Sequence, residues 1–236
     1  MYIGDEFIPI NAQKAIFYYE RAEKLNNQQA QSSLGILYES GTLIHRDIQK
    51  AIHYYNLAAS QNYARAQNNL GILYCYGEFI SRDIQKALYY FELASKQNFV
   101  NTQYNLGVLY SSNEFIPQDI NKSLYYLEQA ANQNNSKTLN YLGYLYETDE
   151  LVNQDIHKAI LYYERAAQQN DPEAQLSLGA LYSKGELIPR DILRAIHYFE
   201  LAAEQGHRIA QYNLGMIYLD GHLVPRDIIR AINYFE

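Results

Sequence analysis

The sequence holds a single cysteine, Cys75, in 236 residues. One thiol excludes a disulfide framework within the chain and a thiolate metal cluster. Cationic side chains are also few: Lys and Arg number 19 against 26 Asp and Glu, for a formal charge of −7. Phosphate-backbone binding needs clustered cations to displace counterions, so nucleic acid is not an expected partner. No apolar run approaches the ~20 residues that cross a bilayer, and direct membrane insertion is not expected. The opening Met1 to Ile10 has neither a basic start nor a long apolar stretch, so it is no secretory leader. A cytoplasmic location is the expectation, subject to a targeting signal beyond the sequence. Proline occurs five times. Pro9, Pro117, Pro189 and Pro225 share one column of the pattern below, and Pro172 follows Asp171; both places suit a residue without a backbone donor.

What is present is repetition. A Leu-Gly pair recurs at Leu34-Gly35, Leu70-Gly71, Leu106-Gly107, Leu142-Gly143, Leu178-Gly179 and Leu214-Gly215, each step 36 residues with no insertion or deletion. A fixed period of this size marks an α-helical solenoid whose copies share a continuous core. Residues 1–236 therefore read as one repeat domain. Tyr2 falls on the column of Tyr38 and Glu236 on that of Asn56, so both ends are expected to fall inside a repeat. The apolar faces near Tyr18-Tyr19 and Tyr234-Phe235 would then serve a longer solenoid or end-to-end self-association.

Within one repeat, Ala30, Leu34, Leu37 and Tyr38 fall on one face of a helix A over about 29–40. Ile48, Ala51, Ile52, Tyr54, Tyr55, Ala58 and Ala59 give a helix B over about 47–60 a stripe wide enough to face two neighbours. A lone helix B is expected first, over about 11–24. The glycine inside helix A costs about 1 kcal/mol against alanine. Its expected return is close approach of helix B at Ala51, Ala87, Ala159, Ala195 and Ala231. Gly41, Gly77, Gly185 and Gly221 should end helix A in the left-handed region, and Asn113 and Asp149 should do the same. Asn26, Asn62, Asn98, Asn134, Asn170 and Gly206 mark the second corner. Asp47, Asp83, Asp119, Asp155, Asp191 and Asp227 open each helix B, with Lys or Arg three residues on.

The string A-x-x-x-L-G-x-x-Y, then G, then D-x-x-K-A-x-x-Y-Y-x-x-A-A resembles the Sel1-like repeat, a variant of the tetratricopeptide repeat, over essentially the whole chain. The resemblance implies an all-α, right-handed α/α superhelical solenoid with helix A on the concave side. It also implies a non-enzymatic scaffold or adaptor that binds a protein or peptide partner. Its rival is a regulatory subunit that activates a separate enzyme or membrane complex. A β-lactamase-like hydrolase is a weaker rival, because the cysteine-rich relatives so described carry a cysteine pair in each repeat and this chain has one cysteine in all.

No catalytic, cofactor or metal residues are assigned. His45-Arg46-Asp47 imitates a kinase catalytic loop, but the metal-holding Asn would fall at Ile52, and the same column reads Ser81-Arg82-Asp83 elsewhere. The six histidines show no metal-ligand spacing. Tyrosine is abundant at 25, of which seventeen fall on repeat columns. Tyr63, Tyr76, Tyr89, Tyr104, Tyr125, Tyr141, Tyr144 and Tyr212 do not, so stacking does not demand them. By the resemblance, a partner groove would be lined by Arg65, Asn68, Asn69, Asn101, Tyr104, Asn105, Lys137, Asn140, Tyr141, Tyr144, Tyr212 and Asn213. Tyrosines and amides give adaptable contact at low entropic cost. Only Arg65 and Lys137 supply cations there, two repeats apart, which argues against a clamp for a C-terminal carboxylate. Residues 100–155 depart most from the pattern and are expected to be the most mobile or the partner-specific section.

Overall fold

A computed structural model of the chain describes residues 10–236, with side chains from Lys14 onward. Tyr2 and Pro9, placed on their columns by the period, lie outside the described residues. Among the described residues there are thirteen helices and no strand. The A helices are α2 (Gln28–Ser40), α4 (Ala64–Tyr76), α6 (Val100–Ser111), α8 (Ser136–Glu147), α10 (Pro172–Lys184) and α12 (Arg208–Asp220). The B helices are α1 (Ile10–Glu23), α3 (Ile48–Ser60), α5 (Ile84–Lys96), α7 (Ile120–Asn132), α9 (Ile156–Ala167), α11 (Ile192–Glu204) and α13 (Ile228–Phe235). The chain divides into two compact units, residues 1–119 and 120–236.

In the first unit, Asp47 and Asp83 start α3 and α5 by accepting the backbone N–H of Lys50 and Lys86, both at 3.0 Å. That bond satisfies one orphan donor of the first turn. Asn26, Asn62 and Asn98 turn the chain from B to A at φ between 60 and 64°. The core runs through Ala51, Tyr55, Ala58, Ala66, Leu70 and Leu73, with Ala51 and Tyr55 wholly buried. The glycine of helix A seats an aromatic ring. A Cβ on Gly71 would lie 2.5 Å from the Phe91 ring, and one on Gly35 would strike Tyr55. The close approach expected at the alanine column is thus centred on the ring four residues further along, at Tyr55 and Phe91.

The second unit repeats this design. Asp155, Asp191 and Asp227 cap their helices through Lys158, Arg194 and Arg230. Gly143, Gly179 and Gly215 seat the rings of Tyr163, Phe199 and Phe235. Each of these repeats also carries a three-layer stack: Tyr146 on Tyr162, Tyr182 on Tyr198 and Tyr218 on Tyr234, with Lys158, Arg194 and Arg230 over the first ring of each pair. Lys50–Tyr38–Tyr54 and Lys86–Tyr74–Tyr90 are the first unit's versions. The stacked tyrosines of these two columns are therefore half-buried rather than deep core, apart from Tyr182 and Tyr218, which are buried, and Tyr18 on the helix B column is exposed.

One expectation is overturned. Gly41, Gly77, Gly185 and Gly221 do end their helices in the left-handed region, at φ 64 to 74°. Asn113 and Asp149 do not adopt positive φ. Instead α6 and α8 close at Ser112 (φ −86°, ψ 153°) and Thr148 (φ −92°, ψ 143°), in extended conformation. A side chain makes the left-handed region costly, and leaving the helix early avoids it. The Arg after each glycine is replaced in step. Arg46, Arg82 and Arg190 donate to the carbonyls of Ser40, Tyr76 and Lys184, whereas Gln118 and Gln154 reach Ser111 and Glu147, both at 2.7 Å.

Candidate partner-binding face

The A-helix face of the first unit is largely occupied by its own hydrogen bonds. Asn68, an expected groove contact, is only 5% exposed. Its Oδ1 accepts from Thr102 Oγ1 at 2.8 Å and from Asn105 Nδ2 at 3.0 Å, and its Nδ2 donates to Asn69 Oδ1 at 3.3 Å. Asn69 in turn donates to the phenol oxygen of Tyr55, which donates to Glu39 Oε2 at 2.5 Å. Burial, then the Glu39 carboxylate, push the Tyr55 phenol well above the ordinary tyrosine range. Asn68, Asn69 and Asn105 thus tie α4 to α6 and, through Tyr55 of α3, to Glu39 of α2, and Asn68 is a buried structural amide rather than a free groove contact. Buried amides need such partners because an unpaired one costs about 1–3 kcal/mol. Arg65 and Asn101 are exposed, and Tyr104 is half-buried.

The second unit leaves more of this face open. Tyr163 donates to Glu147 Oε2 at 2.7 Å and accepts from Ser177, repeating the Tyr55 arrangement. Asn140 is half-buried, but its Oδ1 is buried without a hydrogen-bond partner among the described residues. The period explains this: the Thr102 and Asn105 that serve Asn68 become Ala174 and Ser177. Tyr141 and Tyr144 stack at 6.3 Å with 21° between their planes, and Tyr144 is 44% exposed. The nearby Glu150 carboxylate is the largest influence pushing the Tyr144 phenol up. Tyr212, Ile209 and Met216 are exposed, Asn213 is half-buried, and Lys137 is exposed.

The other repeat-specific tyrosines divide. Tyr63 packs against the first unit's core, and Tyr76 stands edge-on to Phe115 at 5.9 Å. Tyr89 and Tyr125 are on B helices, each edge-on to its neighbour, and both are 59% exposed.

A glutamine ladder at the B-to-A corners escaped the sequence reading. Gln61 Nε2 donates to Gln31 Oε1 at 2.6 Å, Gln97 to Gln67 at 2.7 Å, and Gln205 to Gln175 at 2.8 Å. Where Leu139 interrupts the column, Arg165 donates instead to Ala131 O and Asn134 Oδ1, both at 2.9 Å. The signal was in the spacing, since Gln31, Gln67, Gln103, Gln175 and Gln211 share one column. No cluster of three metal-ligating side chains occurs among the described residues, nor any helix long and apolar enough to cross a membrane. Burial raises the Cys75 thiol, which reduces its nucleophilic fraction.

Helix pairs stacked through side-chain ladders at a 36-residue interval define an α-helical repeat protein. The chain belongs to the Sel1 repeat family, whose pattern matches at 1–27, 28–63, 64–99, 100–135, 136–171, 172–207 and 208–236. Members of that family are in general non-enzymatic protein-interaction scaffolds. The chain is similar to the crystal structure of a Sel1 repeat protein from Oxalobacter formigenes, at 29% identity over 95% of this chain and 92% of that one, with a TM-score of 0.84. It is also similar to c5321, a protective antigen of uropathogenic Escherichia coli with the same kind of fold. There the identity is 27% and the TM-score 0.80, over 94% of this chain but 48% of that one, so the chain spans about half of c5321. The immunity protein Pa5087 from Pseudomonas aeruginosa, at 19% identity and a TM-score of 0.56, shares the fold. Comparison with curated proteins gives no match.

Proposed function

We propose that this chain is a non-catalytic scaffold that holds a protein or peptide partner against its A-helix face, the side the family's superhelix turns inward. The observation that carries this reading is the exposed set Tyr144, Ile209, Tyr212 and Met216 on α8 and α12. Repeat stacking does not bury these side chains, and aromatic and Met residues are favoured at interfaces. Lys137, exposed on α8, adds a polar contact in the same unit.

The B helices offer competing exposed side chains, Tyr89 in the first unit and Tyr125 and Leu161 in the second, so the test must separate the two faces. A photo-crosslinking side chain at position 144 or 212, and separately at 89 or 125, identifies the partner and the face together. Titration of the identified partner then follows. Tyr144→Ala with Tyr212→Ala should weaken it at least tenfold, and Tyr89→Ala with Tyr125→Ala should leave it within about twofold. The reverse pattern overturns the A-face reading.

A further inference from the structure

Where α4 and α5 meet the end of α6 and the loop after it, the first unit holds a cavity of about 90 Å³. Phe91, Val108, Leu109 and Phe115 give it apolar walls, Cys75 lies in its lining, and Glu114 stands at its mouth. The low polarity of this opening has a cause in the sequence. In the preceding repeat this column pair is Glu39 with Tyr55, whose longer side chains bond to each other. Here it is Cys75 with Phe91, shorter by a carboxylate arm and a hydroxyl.

The second unit carries a corresponding pocket two repeats on, where Glu147, Thr148, Leu181, Lys184, Glu186 and Leu187 line a cavity of about 140 Å³. Each of these positions is 72 residues beyond Cys75, Tyr76, Leu109, Ser112, Glu114 and Phe115 respectively. The pocket is thus a recurrent product of the repeat geometry, while its chemistry is set locally. The second carries the charged Glu147, Lys184 and Glu186; the first carries one charge, Glu114, with Asn105 and Ser112 as neutral polar lining.

We propose that the Cys75–Phe115 socket takes one aliphatic side chain of valine to leucine size, from a peptide segment that carries a Lys or Arg beside it. Volume selects the first feature. A cavity of 90 Å³ equals about three water volumes, room for three or four carbon atoms. Charge selects the second. Glu114 is exposed; burial is the main cause that raises the Cys75 thiol and the Tyr76 phenol, and the Glu114 field adds to both. The cation Arg82 is committed: its guanidinium lies 4.4 Å over the Phe115 ring and donates to the Tyr76 carbonyl at 3.4 Å. A peptide cation beside Glu114 therefore meets an exposed carboxylate whose neighbouring guanidinium is held on the Phe115 ring and the Tyr76 carbonyl. Assigning the peptide to a scaffolded partner rests on the function proposed above; the socket's chemistry is tested apart from it.

The probe is N-acetyl-leucine amide, titrated against the whole chain and followed by backbone amide NMR shifts. Saturable shifts at residues 75–76 and 108–115 in the roughly millimolar range are expected, with none at 147–148 and 181–187. N-acetyl-serine amide should give none. N-acetyl-Leu-Lys amide should bind about two- to fivefold more tightly than N-acetyl-Leu-Glu amide, and Glu114→Gln should abolish that preference. Val108→Phe, with helicity unchanged, should remove the leucine shifts. If serine amide shifts the same residues as leucine amide, or leucine amide shifts only the second pocket, the proposal is overturned. For the identified partner, Val108→Phe without effect while Tyr144→Ala with Tyr212→Ala weakens binding sinks the socket and leaves the scaffold reading. Both without effect sinks the A-face reading instead.

Discussion

Gln154 donates from its side-chain amide to the carbonyl of Glu147 at 2.7 Å, closing a helix that has no glycine after it. Arg190 does the equivalent work at Lys184, 3.1 Å away, and there the helix ends in Gly185 at φ 71°. Across the six A helices the pairing holds without exception: Gly41, Gly77, Gly185 and Gly221 precede Arg46, Arg82, Arg190 and Arg226, while Asn113 and Asp149 precede Gln118 and Gln154. Glycine is needed in the first kind because a Cβ on Gly185 would lie 2.8 Å from Arg190 Cβ.

The two corner types should therefore exchange only as pairs. Gly185→Asn alone is expected to destabilise the chain by about 1–2 kcal/mol through the left-handed backbone. Gln keeps the Cβ that Arg190 has, so adding Arg190→Gln should recover part of that loss only by letting the helix close on an extended residue, as Gln154 does for α8, and Arg190→Gln alone should give no gain. Urea unfolding of the two single variants and the double variant measures the coupling. Strict additivity would show the two positions to be independent.

Amides on the A-helix face should separate by mutation into structural and free ones. Asn68→Ala removes the acceptor of both Thr102 and Asn105 and should cost about 1–3 kcal/mol. Tyr144→Ala, at an exposed ring, should stay within about 0.5 kcal/mol. Denaturation midpoints of the two variants check this, and a reversed order would contradict the assigned roles.

Alkaline pH should unfold the chain through Tyr55 and Tyr163. Burial, then the bonded Glu39 or Glu147 carboxylate, raise both phenols above the ordinary value of 10.0. The folded state keeps these protons while the unfolded chain releases them near that value. Their contribution is therefore full below about pH 10 and is lost as pH rises beyond it. Phenolate absorbance and far-ultraviolet circular dichroism, followed together from about pH 9 to 12, should show tyrosine ionisation coinciding with loss of helix. Tyr55→Phe with Tyr163→Phe should lower stability at neutral pH and flatten its decline above pH 10. An unchanged slope would place the alkaline sensitivity elsewhere.

The repeat, its two corners and the capping Asp column were legible because each depends on short-range chemistry. A left-handed corner wants Asn or Gly, and Asn62 and Gly206 supply it at φ 64° and 79°. Asn113 was misread for the complementary reason. Its own type tolerates the left-handed region, but the chain leaves α6 one residue sooner and Gln118 closes the end. The A-helix face was legible as a face and not as a set of free contacts. Asn68 and Asn140 are the same residue type on the same column, and only their neighbours one repeat on, Thr102 against Ala174, make one a paired hub and leave the other's oxygen unpaired. The Cys75 socket was invisible because a cavity is defined by missing volume, which no single residue type announces.

The glutamine ladder carries an evolutionary consequence. Gln61 bonds Gln31 within one copy and Asn26 one copy back, and the same bonds recur from Gln97 to Gln67 and Asn62. A duplication or loss of one whole 36-residue unit joins donor to acceptor across the new seam as before. Any other length change strands both partners. Recombination between copies that carry the glutamine pair can therefore lengthen or shorten such a chain without redesigning a joint, whereas the copy with Leu139 relies on Arg165, and selection is left to vary positions, such as Cys75 and Glu147, that the ladder does not use.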